Sequence, residues 1–176
     1  GLDLVEGLQP QAHNGGLQTA FFANQFTLGF KGERVMELST RENEAIVRSI
    51  CEAVSAARES EKPIKPDHQL IYDIDYLLME ANSGASFEQY FRWASVEEIG
   101  RVVPALRTVG LLDVAELTEK AIQVAFPKGI PSTDEEKADL TDWSEAQDER
   151  LRELFPALEE QNGRITNVLA AFARKT

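Results

Sequence analysis

Apolar side chains recur every third or fourth residue along most of this chain, and the alternating Val/Ile/Thr pattern of half-buried strands is almost missing. A period near 3.6 gives each helix one apolar stripe, and such stripes are covered by packing helix on helix. The fold class this predicts is all-α: a compact multi-helix domain of about eight helices. A chain of 176 residues, 43% of them hydrophobic, has the apolar material for a single core.

The breaks fall between these periodic stretches. Leu17 to Gly29, after His13-Asn14-Gly15-Gly16, reads as a short helix carrying Phe21, Phe22 and Phe26. From Thr40, a candidate N-cap, to Ser60 the residues Ile46, Ile50, Val54 and Ala57 form one face. Glu61 to Pro66 holds two prolines, which stop a helix and suggest a boundary. Residues 1–66 then form an N-terminal helical segment packed on a main domain of residues 67–176. In that domain Asp67 caps a helix with Ile71, Ile74, Leu78 and Ala81 on one face, ending at Asn82-Ser83-Gly84. Ser86 opens a short helix through Phe87, Tyr90, Phe91 and Trp93, and Ser95 with Glu98 forms a capping box for a helix to Gly110, broken or kinked at Pro104. Asp113 to Phe126 is the next helix, with Val114, Leu117 and Ala121 in register. Ser132 with Glu135 opens a long helix running to Phe155, which Pro156 kinks or stops, and a last helix covers Arg164 to Arg174 after Asn162-Gly163.

Catalytic groupings are sparse. One cysteine and two histidines, His13 and His68, 55 positions apart, supply neither a zinc cluster nor a helical histidine pair. Cys51 sits among small apolar neighbours and reads as a buried, inert thiol. The phosphate-cradling glycine loops and the Gly-x-Ser-x-Gly elbow are missing too. The acid pairs Asp73/Asp75 and Glu97/Glu98 have no histidine at helical spacing and read as solvated surface, while Tyr90, Phe91 and Trp93 read as core or subunit-interface aromatics. No catalytic residue, no cofactor and no metal site is expected. A lone cysteine, no membrane-length apolar run and no signal-like opening point to the cytoplasm.

Charge is the informative feature. A net charge of -12 opposes direct contact with nucleic acid or an anionic membrane and favours a basic partner. Asp134 to Glu160 alone holds eleven acids against Lys137, Arg150 and Arg152. At 100° per residue Leu140, Trp143, Leu151, Leu154 and Leu158 share one sector, and Glu135, Asp142, Glu145, Glu149 and Glu153 fall opposite. Seven-residue steps from Glu135 to Asp142 to Glu149 are about 10.5 Å along a continuous helix, close to the roughly 10.2 Å advance over three phosphates of a DNA strand. A charge run of this kind is also what an ordinary solvated helix face looks like.

Residues 67 to 176 also carry a family pattern: Tyr72-x-x-Asp75, Glu80-Ala81-Asn82-Ser83-Gly84, Phe87-Glu88-Gln89-Tyr90-Phe91, Leu106-x-x-Val109-Gly110, then Phe126-Pro127 and the acidic helix. This resembles the bacterial DNA-mimic protein family, an all-helical domain whose pattern is Asn-Gly-Gly, Phe-x-Gln-Tyr-Phe, a Phe-Pro break and an acidic C-terminal half. Ser83 replaces the first glycine of Asn-Gly-Gly, and Ala85-Ser86 stand as an insertion, which puts the turn at stake more than the fold. The resemblance implies a helical protein, often a homodimer, whose carboxylates imitate phosphates and occupy the DNA-binding surface of a transcription factor or other basic protein. The partner-binding residues expected on this basis are Glu135, Asp139, Asp142, Glu145, Asp148, Glu149 and Glu153. The alternatives are an immunity-type or scaffold protein that recognises its partner by shape, and an enzyme with a carboxylate site at Asp73, Asp75 and Glu80.

Overall fold

A computed structural model describes residues 39–176, of which Thr40–Thr176 form one compact unit. The expected helix at Leu17–Gly29, with His13 and the preceding glycines, lies outside the described residues. Eight helices and no strand occur among the described residues, so the fold is all-α. They are α1 over residues 39–59, α2 Pro66–Gly84, α3 Phe87–Trp93, α4 Val96–Thr108, α5 Leu112–Ala125, α6 Asp134–Leu140, α7 Glu145–Glu159 and α8 Asn162–Ala173. None of the described helices is long and apolar enough to cross a membrane.

The stripes read from the sequence are the buried faces. Helix α2 buries Ile71, Ile74, Leu77, Leu78 and Ala81, and packs on α3, α4 and α8. Helix α5 buries Val114, Ala115, Ala121 and Ala125, and rests on α4 and α7. Between them Phe87, Tyr90 and Phe91 of α3 are fully enclosed, each stabilising the core by roughly 1.5–3 kcal/mol relative to exposure. Aromatic rings then continue outward: Tyr90 to Phe91 at 5.4 Å, Phe91 to Phe126 at 5.6 Å and Phe126 to Trp143 at 6.3 Å between centroids. Val47 of α1 belongs to the same core.

Several local expectations are corrected. Residues 39 and 40 are already helical, so Thr40 is not an N-cap. Lys65 is the N-cap of α2, with Pro66 and Asp67 in its first turn, where a proline has no N–H to waste. The inserted residues make the turn after it: Ala85 adopts a left-handed φ of 48°, and the Ser86 hydroxyl accepts the Glu88 N–H to open α3. Pro104 and Pro156 lie within α4 and α7, each of which continues past its proline. Asn162 and Gly163 are the first residues of α8, not a break before it. Ser95 and Glu98 do form the expected reciprocal capping box.

The acid pair Asp73/Asp75 is not solvated surface. Asp73 is buried and accepts hydrogen bonds from Arg101 Nε at 2.8 Å, Arg101 Nη2 at 3.0 Å and Gln69 Nε2 at 2.7 Å. The Cys51 thiol donates to Asp75 Oδ2 at 3.3 Å, and burial followed by the nearby Asp75 charge pushes its pKa far up. Such a thiol is a poor nucleophile.

Candidate acidic interface

The long helix expected from Ser132 to Phe155 is two helices. Helix α6 ends at Leu140, and α7 starts at Glu145. Thr133, not Ser132, caps α6, accepting from Glu136 N, while the Glu136 carboxylate accepts the Ser132 N–H in return. At the second start Ser144 accepts from Gln147 N and Gln147 Oε1 accepts from Ser144 N, a complete capping box. The Ser144-x-x-Gln147 spacing is the sequence signal that marks this start, and the unbroken apolar period across residues 140 to 158 masked it.

Tertiary contacts fix the break. The Trp143 indole N–H donates to the Ala125 carbonyl at 3.0 Å, and Gln147 Nε2 donates to the Val124 carbonyl at 3.0 Å, so the connector is tied to the C-terminal end of α5. Those carbonyls have no partner within their own helix, and the two side chains satisfy them. Leu140, expected on the packed face, is 52% exposed instead, because the turn after it directs Trp143 inward and leaves Leu140 outside.

Helix α6 is fastened by its one base. Lys137 is buried and donates to the carbonyls of Ala94 at 2.6 Å, Arg92 at 3.0 Å and Phe91 at 3.2 Å, where α3 ends. A cation at a helix C-terminus also meets the negative end of the macrodipole. Burial pushes the Lys137 pKa down, with Asp134 and Glu98 opposing. Asp134 adds a second tie by accepting the Val96 N–H at 2.8 Å.

With Lys137 turned inward, Arg150 and Arg152 are the exposed bases within residues 134–160, while Lys128 shares a surface depression with Asp139 and Asp142 and Lys120 shares one with Glu153. Glu135 and Asp139 lie exposed on α6, Asp142 exposed in the connector, and Glu145, Glu149 and Glu153 exposed on α7. Asp148, on the first turn of α7, is half-buried. Its Oδ1 is enclosed without a hydrogen-bond partner. Burial raises its pKa, Glu88 and Asp142 add to the rise, and Arg92 and Arg152 oppose it.

The seven-residue pitch from Glu135 through Asp142 to Glu149 requires one continuous helix and therefore does not hold. What remains regular is the four-residue step within α7 from Glu145 to Glu149 to Glu153, about 6 Å along the axis each. Among the described residues, none of the seven carboxylates forms an ion pair. The acids that do are Asp73, Glu88, Glu97, Glu98, Asp113 and Glu119, all outside residues 134–160.

The carboxylate site weighed at Asp73, Asp75 and Glu80 does not converge, since Asp73 is held by Arg101 and Gln69 and Asp75 by Cys51. Among the described residues no set of three or more His, Cys, Asp or Glu side chains is arranged to hold a metal ion.

Residues 62–176 match the family model described as DMP19-like protein. No curated protein and no solved structure matched the chain.

Proposed function

Because the chain belongs to the DMP19-like (DNA mimic protein 19) family, matched over more than half its length, we propose that it binds a basic, DNA-binding protein and occupies the surface that protein uses for DNA. Glu135, Asp139, Asp142, Glu145, Asp148, Glu149 and Glu153 stand in for phosphates on this reading. The observation that carries it is that none of these seven carboxylates is neutralised by an ion pair, whereas six acids elsewhere among the described residues have arginine partners. A surface kept unneutralised at net charge -12 attracts cationic partners over distance and speeds their encounter.

The mimicry rests on a charged face and not on a helical copy of duplex geometry. Within α7 the step of about 6 Å lies near the roughly 6.8 Å that two phosphates advance along a strand. Glu135 and Asp139 reach the surface from α6 and Asp142 from the connector, while Asp148 is half-buried on α7. Binding is the activity proposed, with no cofactor.

Reversing Glu145, Glu149 and Glu153 to lysine tests this directly. The wild-type chain captures DNA-binding proteins from lysate at low salt, releases them at high salt, and displaces DNA from them in a gel-shift competition; the reversed chain does neither. Unchanged capture after reversal overturns the reading. Capture that ignores salt points to a partner recognised by shape, because screening weakens a contact built on exposed charge.

A further inference from the structure

Trp93 is an outlier on its helix. Phe87, Tyr90 and Phe91 of α3 are fully buried, whereas Trp93, the last residue of that helix, is 62% exposed. Tryptophan is among the residue types most enriched where binding energy concentrates at interfaces.

The ring lines a shallow depression of roughly 320 Å³ together with Ser95, Glu98, Asp134, Ala138 and Thr141. Asp134, Ala138 and Thr141 come from α6 and its C-cap, at helical spacing on one side of it. Glu135 and Asp139 each follow one of these residues in sequence, so the depression borders the acidic face. Two cations also line it, and both are committed. Lys137 is held by three carbonyls, and Arg92 pairs with Glu88 at 2.6 Å while its guanidinium lies 5.4 Å from the Trp143 ring centroid. Glu98 is engaged through both oxygens, by Arg58 and by Ser95. Asp134 Oδ1 accepts the Val96 N–H, and its Oδ2 has no hydrogen-bond partner among the described residues.

We infer that Trp93 and Asp134 form a receiving site for an arginine side chain of the basic partner, at the edge of the acidic face. A guanidinium is planar and weakly hydrated, so it stacks on an indole while donating to a neighbouring carboxylate. A lysine ammonium does this less well, because it is a compact and strongly hydrated point charge. The anchor rests on the acidic face being the contact surface, and it adds a preference for arginine that charge at a distance does not supply.

Octa-arginine and octa-lysine peptides, equal in length and charge, serve as probes of the full chain at low salt, read by calorimetry and by tryptophan fluorescence. Trp143 is buried, so Trp93 dominates the accessible signal. The expected result is about threefold or greater preference for octa-arginine with a change in Trp93 emission. Trp93→Ala narrows that ratio while octa-lysine affinity stays the same, and Trp93→Phe keeps part of it. Equal affinity for the two peptides, or a ratio that survives Trp93→Ala, overturns the anchor alone. Binding of both peptides that is indifferent to Glu149→Lys with Glu153→Lys overturns the acidic-face reading beneath it. A fall in sedimentation mass of the free chain on Trp93→Ala places a second copy over the ring and also overturns the arginine assignment. Trp93 is exposed and outside the core, so circular dichroism should show both variants folded as wild type.

Discussion

The ammonium of Lys137 lies 2.6 Å from the carbonyl oxygen of Ala94 and reaches two more carbonyls of the same helix end, bolting α6 onto α3. A lysine among eleven acids thereby acts as an internal fastener and adds no positive charge to the outer face. Lys137→Met removes the donor and leaves three acceptors without it. The expected cost is about 2–4 kcal/mol in urea unfolding, since a buried polar group left unsatisfied loses roughly 1–3 kcal/mol. A loss under about 0.5 kcal/mol would show that water replaces the ammonium freely.

Gly84 is required by a close approach. A Cβ built there falls 2.8 Å from Gln89 Cβ, a distance that real side chains do not tolerate. Gly84→Ala is therefore expected to destabilise by about 1–3 kcal/mol, although Ala in place of a helical Gly ordinarily gains up to about 1 kcal/mol. In a Gln89→Gly background the penalty shrinks, and the coupling is read from a double-mutant cycle of chemical denaturation.

Asp148→Asn should stabilise the protein at neutral pH by up to about 1 kcal/mol, because an enclosed oxygen without a partner is relieved of its charge. The position in the first turn of α7 moderates the gain, since an acid there suits the helix dipole. The pH dependence has a definite sign. The folded pKa is raised above the ordinary 3.8, so the unfolded chain ionises first as pH rises and stability is lost across that window. Below it both states are protonated, and the wild-type and Asn proteins should melt with a smaller difference at pH 3.5 than at pH 7.

Asp73 and Arg101 form a two-point ion pair with Asp73 buried, and Glu97 also pairs with Arg101. Asp73→Ala is expected to cost about 1–3 kcal/mol because it removes the acceptor of Gln69 and of two Arg101 donors, Arg101 keeping only Glu97, whereas Asp73→Leu with Arg101→Leu should recover much of that loss. Thermal denaturation of the three proteins decides it; equal losses in single and double variants would show that shape, not the pair, matters there.

Glu149→Lys with Glu153→Lys should leave folding stability within about 0.5 kcal/mol, since both side chains are exposed and neither forms an ion pair. Thermal melts check this, and a stable reversed protein is what allows lost binding to be assigned to the face itself.

Helical class, the buried stripes of α2 and α5, the Ser95/Glu98 capping box and the core role of Phe87, Tyr90 and Phe91 were all legible in the amino-acid order. Each depends on neighbours three or four residues away, which spacing reports directly. The family was legible for the same reason, in the contiguous run from Glu80 to Phe91. The division of the acidic stretch was not, because Leu140, Trp143 and Leu151 keep a helical period straight through the turn. Only the carbonyls of Val124 and Ala125, some twenty positions away, determine that Trp143 turns in and Leu140 stays out. Asp73 and Asp75 are likewise indistinguishable as residues two apart; the arrival of Arg101 from α4 makes Asp73 a buried ion pair. Local order set which residues could be helical and charged, and the packing of distant helix ends set which charges faced outward. A side chain's partner 18 to 46 positions away in sequence leaves no period to read.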